Sequence, residues 1–494
     1  MTIPPQPTVA VAGGGLAGLA AACALSDAGF RVTLYEKRPF LGGRASSYEH
    51  PGTGEVVDNC QHVLFRVCTN LVEFYQRIGV ANQIRWFDQM NFIEPGGRIS
   101  VMKSSLLPAP LHTAPSFFQF SFLSAADKVA IARALVPITL TEQRDTGESF
   151  QQWLDRHGQT PTAVNRFWKP ILISALSEEL DRISVSAAAQ VVRESMKSSE
   201  ARHMGVPMIP LTDLYNAAGE YVCARGGVLH FRRPIESFAA ESGSVRVRVA
   251  DAEEPFDYLV VALPFDALAR ALPDAPESAT LREKISHFEN SPITGIHLWF
   301  DRQVSDLDHA VLLDRTVQWM FHKSRLQPMR TQSTTSGNRE GHEFTRAASA
   351  SPSLEPSAPE GGSYIELVVS SSKTLIDKTR TEIVELALNE VREFFPPARQ
   401  ANLVKSTVIK EVNATYSPRP GIDAHRPGST TAWPRVFLAG DWTATGWPAT
   451  MESAVRSGYM AAEAIAQRTG IARARYLSHN LAPSGLMRLF YRGG

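Results

Sequence analysis

The sequence predicts an α/β protein with a discontinuous Rossmann-type nucleotide-binding domain and a separate substrate domain of mixed sheet and helices. Three observations lead to this prediction. A strand, a glycine-rich turn, a helix and a second strand open the chain. A buried-type apolar strand, Val260-Val261-Ala262-Leu263-Pro264, lies near the middle, and another strand ends in Gly440-Asp441 near the C-terminus. The strands of one parallel sheet are therefore expected to come from the whole length of the chain.

The opening stretch is the strongest of these signals. Its apolar strand leads into Gly13-x-Gly15-x-x-Gly18, and a second apolar run ends at Glu36. In a dinucleotide-binding βαβ unit, the first glycine permits a tight turn, the second lets backbone approach the pyrophosphate, and the third lets helix pack on strand. Glu36 stands where a carboxylate would bind a ribose. A glycine-rich turn in an unrelated α/β protein accounts less well for the elements on both sides.

Composition excludes several classes of protein. The 494 residues, 44% apolar and 20% charged, suffice for a large core and two or three interleaved domains. Fifty basic and fifty acidic residues cancel, which argues against a nucleic-acid partner. The four cysteines form no C-x-x-C pair and no zinc spacing, so we expect no metal site and reduced thiols in a cytoplasm. We expect neither a signal peptide nor a membrane-spanning helix.

The next elements follow the βαβ unit in order. A turn after Glu36 ends in Gly42-Gly43-Arg44, a short strand runs from Glu55 into a loop at His62, and an amphipathic helix covers about 69–78. The stretch 106–122 is aromatic and almost uncharged. It has three interpretations: core, an apolar substrate pocket, or a surface that enters a membrane.

The middle of the chain alternates between helices and strands. Helices are predicted over 125–135, 149–157, 162–177, 186–199 and 381–395, and strands over 228–232, 245–249, 256–264, 293–300, 317–321 and 364–369. The hydrophilic segment 325–362 has too few apolar residues to offset its ordering entropy, and we predict a disordered insert there.

The C-terminal part carries the second strong signal. An apolar strand, 435–439, ends in Gly440-Asp441, and a long helix begins after Trp447-Pro448-Ala449-Thr450. A strand, a Gly-Asp turn and a helix N-terminus form a second place where backbone N–H groups and a carboxylate can bind a polyhydroxylated chain.

These motifs resemble the FAD-dependent oxidoreductases of the amine-oxidase and phytoene-desaturase superfamily, in the expected order and over essentially the whole chain. The resemblance implies an FAD-binding domain formed by 1–90, 215–270 and 410–470, a substrate domain formed by 91–214 and 271–409, and a tail from 471 to 494. It also implies that Gly15, Ala17 and Arg44 contact the pyrophosphate, Glu36 the adenosine ribose, and Asp441 the ribityl and phosphate region. The full set of implied FAD contacts is Gly13, Gly15, Leu16, Ala17, Gly18, Glu36, Lys37, Gly43, Arg44, Ile235, Ala262, Gly440, Asp441, Ala449, Thr450 and Met451.

Within the superfamily, the segments 58–64, 108–112, 293–300 and 449–452 resemble the squalene-associated branch, the hydroxysqualene dehydroxylases of hopanoid pathways. Cys60, where that branch has a glycine, is a departure. The resemblance implies reductive dehydroxylation of hydroxysqualene to squalene, a C30 isoprenoid, by hydride transfer from reduced flavin. The leaving hydroxyl would need an acid, and we expect His62 and Asp58 to supply it, with His112 and His297 as further candidates.

Three other functions stay open. A carotenoid or phytoene-type desaturase would run the flavin in the oxidising direction. An amine oxidase is less consistent, because the strand 293–300 lacks the lysine and position 450 lacks the tyrosine typical of those enzymes. A non-catalytic isoprenoid-binding flavoprotein would keep the same motifs. The sequence shows no second nucleotide fingerprint, so the electron donor would be an external one. The aromatic stretch Phe117–Phe122 and the segment Leu481–Tyr491 could form a peripheral membrane contact.

Overall fold

The computed structural model describes residues 6–327, 361–471 and 475–490. Its strands are β1 Thr8–Ala12, β2 Arg31–Glu36, β3 Ser47–Glu49, β4 Val56–Asp58, β5 Leu64–Phe65, β6 Ile84–Phe87, β7 Gln89–Ile93, β8 Ile99–Lys103, β9 Met204–Pro207, β10 Val228–Phe231, β11 Ser237–Ala240, β12 Val245–Val249, β13 Ala252–Phe256, β14 Tyr258–Val261, β15 Asn290–Phe300, β16 His309–Leu312, β17 Trp319–His322, β18 Ser363–Ser370, β19 Leu403–Tyr416 and β20 Val436–Leu438. Its helices are α1 Leu16–Asp27, α2 Thr69–Arg77, α3 Ala114–Gln119, α4 Ala125–Leu140, α5 Phe150–Arg156, α6 Pro161–Ala163, α7 Lys169–Leu176, α8 Val185–Met196, α9 Leu211–Cys223, α10 Phe265–Ala271, α11 Ala279–Ser286, α12 Lys323–Leu326, α13 Arg380–Phe394 and α14 Met451–Arg468.

A five-stranded parallel sheet, in the order β10-β2-β1-β14-β20, joins segments from the two ends and the middle of the chain. Helices α1, α9 and α14 bury apolar side chains on one face, and the antiparallel sheet β11-β12-β13 covers the other. Gly458 allows α14 to cross α1 closely, because a Cβ there would overlap the carbonyl oxygen of Ala17. The predicted α/β class and Rossmann-type sheet are confirmed.

A second sheet has seven strands in the order β19-β15-β18-β17-β16-β7-β8 and is antiparallel except between β16 and β7. One face packs against α13 through a wholly apolar cluster. The opposite face packs against the helical layer that contains α4, α7 and α8. The residues buried between the sheet and this helical layer, which lie outside the parallel sheet and its helices, are called the second apolar cluster below.

The structure refines several predicted elements. The strand predicted over 256–264 divides at Asp257, whose carboxylate accepts hydrogen bonds from the backbone and hydroxyl of Thr8. The helix predicted over 162–177 contains a π-helical segment, Val164–Trp168, between α6 and α7. Residues 328–360 of the insert predicted over 325–362 lie outside the described residues. The start of the predicted insert belongs to α12, which buries Leu326. The domain boundaries stay a prediction.

The aromatic stretch 106–122 is partly core and partly exposed, and three of its four phenylalanines are core. Phe117, Phe120 and Phe122 are buried among one another and Phe92, whereas Phe118 is 61% exposed. Among the described residues, no helix combines the length and hydrophobicity that a bilayer crossing requires.

Candidate active site

The turn between β1 and α1 leaves a bare backbone surface at the carboxyl edge of the parallel sheet. Gly13 has a φ of 109°, and a Cβ on it would lie 2.7 Å from the carbonyl oxygen of Ala262, which follows β14. A Cβ on Gly18 would overlap the carbonyl oxygen of Gly13. α1 begins after Gly15 with no side-chain cap and no acidic residue in its first turn. Its first N–H groups therefore suit an anionic group such as a pyrophosphate.

A second glycine turn lies beside the first. Gly42 donates its N–H to the carbonyl oxygen of Gly14 over 2.9 Å, and the next residue, Gly43, has a φ of 61°. A Cβ on Gly15 would lie 3.8 Å from the Cα of Gly43. Two backbone turns without side chains thus face each other and form a cradle that larger residues would fill.

Glu36 lies at the end of β2, next to this cradle. It is buried, and its two carboxylate oxygens accept hydrogen bonds from the backbone N–H of Gly14 (2.6 Å) and of Arg38 (2.8 Å). Ile235 is buried on the segment that follows β10, where Arg233 donates its N–H to the carbonyl oxygen of Glu36. Glu36, predicted for the ribose, and Ile235, another predicted FAD contact, are therefore neighbours in the fold.

The two ends of the chain meet at Arg44 and Asp441. The guanidinium donates to Asp441 Oδ1 over 2.6 Å and to the carbonyl oxygen of Ala414 over 2.7 Å. Burial alone would lower the pKa of Arg44, but the Asp441 carboxylate offsets this effect and the pKa is raised. Gly440, with a φ of 145°, forms the turn that presents Asp441. This ion pair fixes the C-terminal Gly-Asp turn against the N-terminal cradle.

The other predicted contacts lie along the same edge or near it. Leu16 and Ala17 are buried in the first turn of α1, while the side chain of Lys37 is exposed. Thr450 caps α14 by accepting the N–H of Ser453, and Met451 Sδ accepts a hydrogen bond from Tyr215. Ala449, Thr450 and Met451 are partly exposed.

A buried charge cluster lies behind the loop that follows β4. Lys323, 2% exposed, donates to Asp58 Oδ2 over 2.6 Å and to Gln61 Oε1 over 2.8 Å, and its Nζ lies 3.5 Å from Glu366 Oε2. Asp58 also accepts from the hydroxyl of Ser47 (2.5 Å) and the N–H of Leu211 (3.3 Å). Neither oxygen of Glu366 accepts a hydrogen bond from a described residue. The cluster thus holds two carboxylates for one ammonium group.

This imbalance moves the pKa values of the two acids in opposite directions. Burial alone would raise the pKa of Asp58, but Lys323 and the hydrogen bonds lower it below its ordinary value. Burial raises the pKa of Glu366 to about 8, since Lys323 offsets the effect only in part and Asp58 adds to it. Asp58 is therefore ionised at neutral pH, and Glu366 is protonated.

His62 borders this cluster and is partly exposed. Its Nδ1 lies 2.7 Å from the carbonyl oxygen of Cys60. A carbonyl oxygen only accepts, so Nδ1 carries the hydrogen and Nε2 presents a lone pair. Burial lowers the pKa of His62. The ring is consequently neutral and is a proton acceptor at Nε2.

His112 and His297 are buried, and burial lowers the pKa of His112 to about 4 and that of His297 to about 3. His297 Nδ1 lies 2.8 Å from the hydroxyl of Tyr364. Both rings are neutral at physiological pH.

Comparison with known proteins places the chain in a family. The model of the family described as flavin containing amine oxidoreductase matches residues 16–466. The chain belongs to that family. It is similar to a probable zeta-carotene desaturase (27% identical, 94% of this chain, 99% of the relative) and a 15-cis-phytoene desaturase (27%, 96% and 99%), both of Synechococcus elongatus. Among solved structures, a putative protoporphyrinogen oxidase from Exiguobacterium shares the fold, with 16% identity, a TM-score of 0.64, and coverage of 94% of this chain and 99% of that one.

This flavin-containing amine oxidoreductase family member is an FAD-dependent oxidoreductase. The cradle of Gly13, Gly15, Gly18 and Gly43 fits a dinucleotide, because its turns carry no side chains that would keep a pyrophosphate away from the backbone. Side chains are excluded at Gly13 and Gly18, where a Cβ would collide with backbone atoms. The expected reductive dehydroxylation of hydroxysqualene is wrong, since the curated relatives are named phytoene and zeta-carotene desaturases. Of the two residues expected to supply the acid, Asp58 is ionised, and His62 is neutral with its one ring hydrogen directed at the Cys60 carbonyl oxygen.

Sequence reasoning missed several polar residues of the site. Lys323 begins the short helix α12, directly after β17, and Glu366 lies on β18, for which the sequence predicted only a strand. A lone acid between Ile365 and Leu367 in an apolar strand is the signal that could have indicated Glu366. Glu452 is fully buried and accepts the backbone N–H groups of Asn70 and Leu71 at the start of α2.

Proposed function

We propose that this flavoenzyme is a carotenoid-type desaturase, which removes two hydrogens from neighbouring carbons of a long apolar isoprenoid. The likeness to phytoene and zeta-carotene desaturases extends over 92% or more of the chain for each of the curated relatives compared, and covers nearly the full length of the cyanobacterial ones. Such a substrate offers no charged group, so its site needs apolar walls. The removal of two hydrogens also needs a group that accepts a proton.

The second apolar cluster would supply such walls. Phe167, Leu172 and Trp319 are among its buried members, and they come from the helical layer and from the sheet that faces it. Cys60 belongs to the same cluster and lies in the loop that carries His62. A long hydrocarbon between these two layers would pass beside the His62 ring.

The observation that carries the proposal is the tautomer of His62. Desaturation removes a hydride from one carbon and a proton from its neighbour, and the remaining electron pair forms the C=C bond. FAD, when bound, supplies the two-electron acceptor. His62 Nε2 has a lone pair and no hydrogen, because Nδ1 carries the ring hydrogen and donates it to the carbonyl oxygen of Cys60. We propose that His62 Nε2 accepts the proton that leaves the neighbouring carbon.

The residues that would hold FAD are those at the carboxyl edge of the parallel sheet. Gly15, Ala17 and Arg44 would bind the pyrophosphate, Glu36 the ribose and Asp441 the ribityl region. The Arg44–Asp441 pair, at 2.6 Å, would keep the two halves of that site together.

Anaerobic reduction of the bound flavin tests the reaction. Phytoene or zeta-carotene in liposomes should bleach the oxidised flavin band and produce a longer polyene, and putrescine should not. Bleaching by putrescine without bleaching by either carotene would refute the proposal in favour of amine oxidation.

We also propose that the protein associates with a membrane surface from which it takes this substrate. Three leucines of the segment before α3 are exposed: Leu106, Leu107 (45%) and Leu111 (47%). The turn Gly485–Leu489 lies against that segment, where Leu486 donates its N–H to the carbonyl oxygen of Ala109 over 2.8 Å. Leu489 (68%) and Phe490 (54%) extend the exposed patch. Insertion of each large apolar side chain would contribute about 1.5–3 kcal/mol.

Co-sedimentation with vesicles checks this association. The double change Leu489→Ser and Phe490→Ser should release the protein from vesicles. Val404→Ser and Val412→Ser, which remove exposed valines of β19, form the matched control and should not. Equal release by both pairs would show that the patch does not bind the membrane.

A further inference from the structure

Three side chains with metal-ligating atoms converge at a place remote from the charge cluster. Glu283 and His287 lie four residues apart at the C-terminal end of α11, so they share one face of the helix. His425 ends a short turn, Ile422–His425, that comes from a distant part of the sequence. His287 Nε2 lies 2.8 Å from Glu283 Oε1, and His425 Nδ1 lies 3.8 Å from the same oxygen. The three ligand atoms all lie within 4.8 Å of one another.

The surroundings leave these groups open to an ion. The two imidazole rings stack with their centroids 3.6 Å apart, and in the described part of the chain neither ring has a polar side-chain partner other than Glu283. The nearby cations are already paired: Arg182 and Arg419 both bind Glu289. All three ligands are accessible, with exposed side-chain fractions of 58% for Glu283, 45% for His287 and 31% for His425.

We propose that Glu283, His287 and His425 form a binding site for a divalent metal ion of the zinc class. Two imidazoles and one carboxylate suit Zn²⁺ and disfavour Mg²⁺ and Ca²⁺, which prefer oxygen ligands. Tetrahedral ligands at about 2.1 Å from zinc lie roughly 3.4 Å apart. Rotation of these exposed side chains would bring the spacings to that value, opening the 2.8 Å contact between His287 and Glu283 and shortening the longer ones. Water would complete the coordination. The sequence-based expectation of no metal rested on cysteine spacing and did not consider this set.

The position of the site indicates a structural role. Directly after His425, Arg426 donates to the backbone carbonyl groups of Thr443 and Trp447 within the loop that follows Asp441. Directly after His287, Phe288 packs its ring against Trp442, with centroids 5.7 Å apart. An ion that joins α11 to the turn would therefore restrain both supports of the Asp441 loop.

Calorimetric titration of the chelator-treated holoenzyme with zinc chloride tests the proposal. We expect one zinc ion per chain and no competition from magnesium chloride. His287→Ala and His425→Ala should each weaken zinc binding by at least about tenfold, since loss of even an outer-sphere partner costs that much. Glu283→Gln, an exposed conservative change, gives a third variant whose folding is not in question.

His203→Ala is the matched control, because His203 pairs with a single acid, Glu200, at 3.3 Å. It should leave the zinc isotherm unchanged. Zinc should also raise the thermal midpoint of the wild type and of His203→Ala but not of His425→Ala. An unchanged isotherm in Glu283→Gln and His425→Ala, or equal weakening by His203→Ala, would overturn the proposal. Neither readout depends on desaturase activity.

Discussion

Replacement of Glu366 by glutamine tests whether the buried cluster holds a proton at neutral pH. Glu366 is fully buried on β18, and the one ammonium group near it, Lys323, is already bound to Asp58. Glutamine has nearly the same shape as the protonated acid and cannot ionise. The change therefore removes the titration and leaves the packing in place.

The sign and size follow from the pKa of Glu366, which rises from an ordinary 4.5 to about 8 on folding. Between these values the unfolded chain has released the proton and the folded protein still holds it. Stability from this group is thus fully present below about pH 4.5 and is lost as the pH rises to about 8. At about 1.4 kcal/mol for each pKa unit, the ceiling of this loss is roughly 5 kcal/mol.

Urea denaturation from about pH 5 to about pH 9 measures the effect. Glu366→Gln should match the wild type at the acidic end and become more stable than it by up to about 5 kcal/mol at the alkaline end. Glu385→Gln, which removes an exposed acid of α13, is the control and should follow the wild type throughout. If the free energies of unfolding of Glu366→Gln and the wild type differed by the same amount at every pH, Glu366 would not hold a proton at neutral pH and the reasoning would be refuted.

Three other changes test the remaining parts of the site. Lys323→Met leaves Asp58 without its cation and should destabilise the fold by about 3–5 kcal/mol in the same assay, with Lys323→Arg restoring part of it. His62→Gln should lower the desaturation rate by about 10²-fold or more with unchanged flavin content, as loss of a proton acceptor requires. Gly18→Ala should abolish FAD retention, because its Cβ would meet a backbone carbonyl oxygen, whereas Gly243→Ala, in open space, should retain FAD.

The sequence indicated the parallel sheet and the cofactor well. The spacing of Gly13, Gly15 and Gly18 between two apolar runs is a local pattern. It predicts a dinucleotide-binding turn because the backbone geometry of that turn depends only on residues close in the chain. The amphipathic helix at 69–78 and the helix at 381–395 appear within one or two residues of their predicted bounds, as α2 and α13. Periodicity predicts such elements because their burial repeats along the chain.

The protonation states of the two expected acids were not available from sequence. His62 and Asp58 were expected to supply a proton, and their residue types permit it. Protonation depends on neighbours that are distant in the chain: Lys323 lies 265 residues after Asp58 and makes it a fixed anion. The Cys60 carbonyl sets the tautomer of His62 through a loop shape that the sequence does not specify.

The sequence by itself predicted where a dinucleotide would bind, because a phosphate cradle is made of backbone and needs only glycines at set intervals. The tertiary structure alone decided the charges at the site. Those charges come from Asp58, Lys323 and Glu366, which two separate strands, β4 and β18, and the short helix α12 bring within hydrogen-bonding or ion-pair distance. Electrostatic energies depend on distance and burial, and neither quantity exists until the chain has folded.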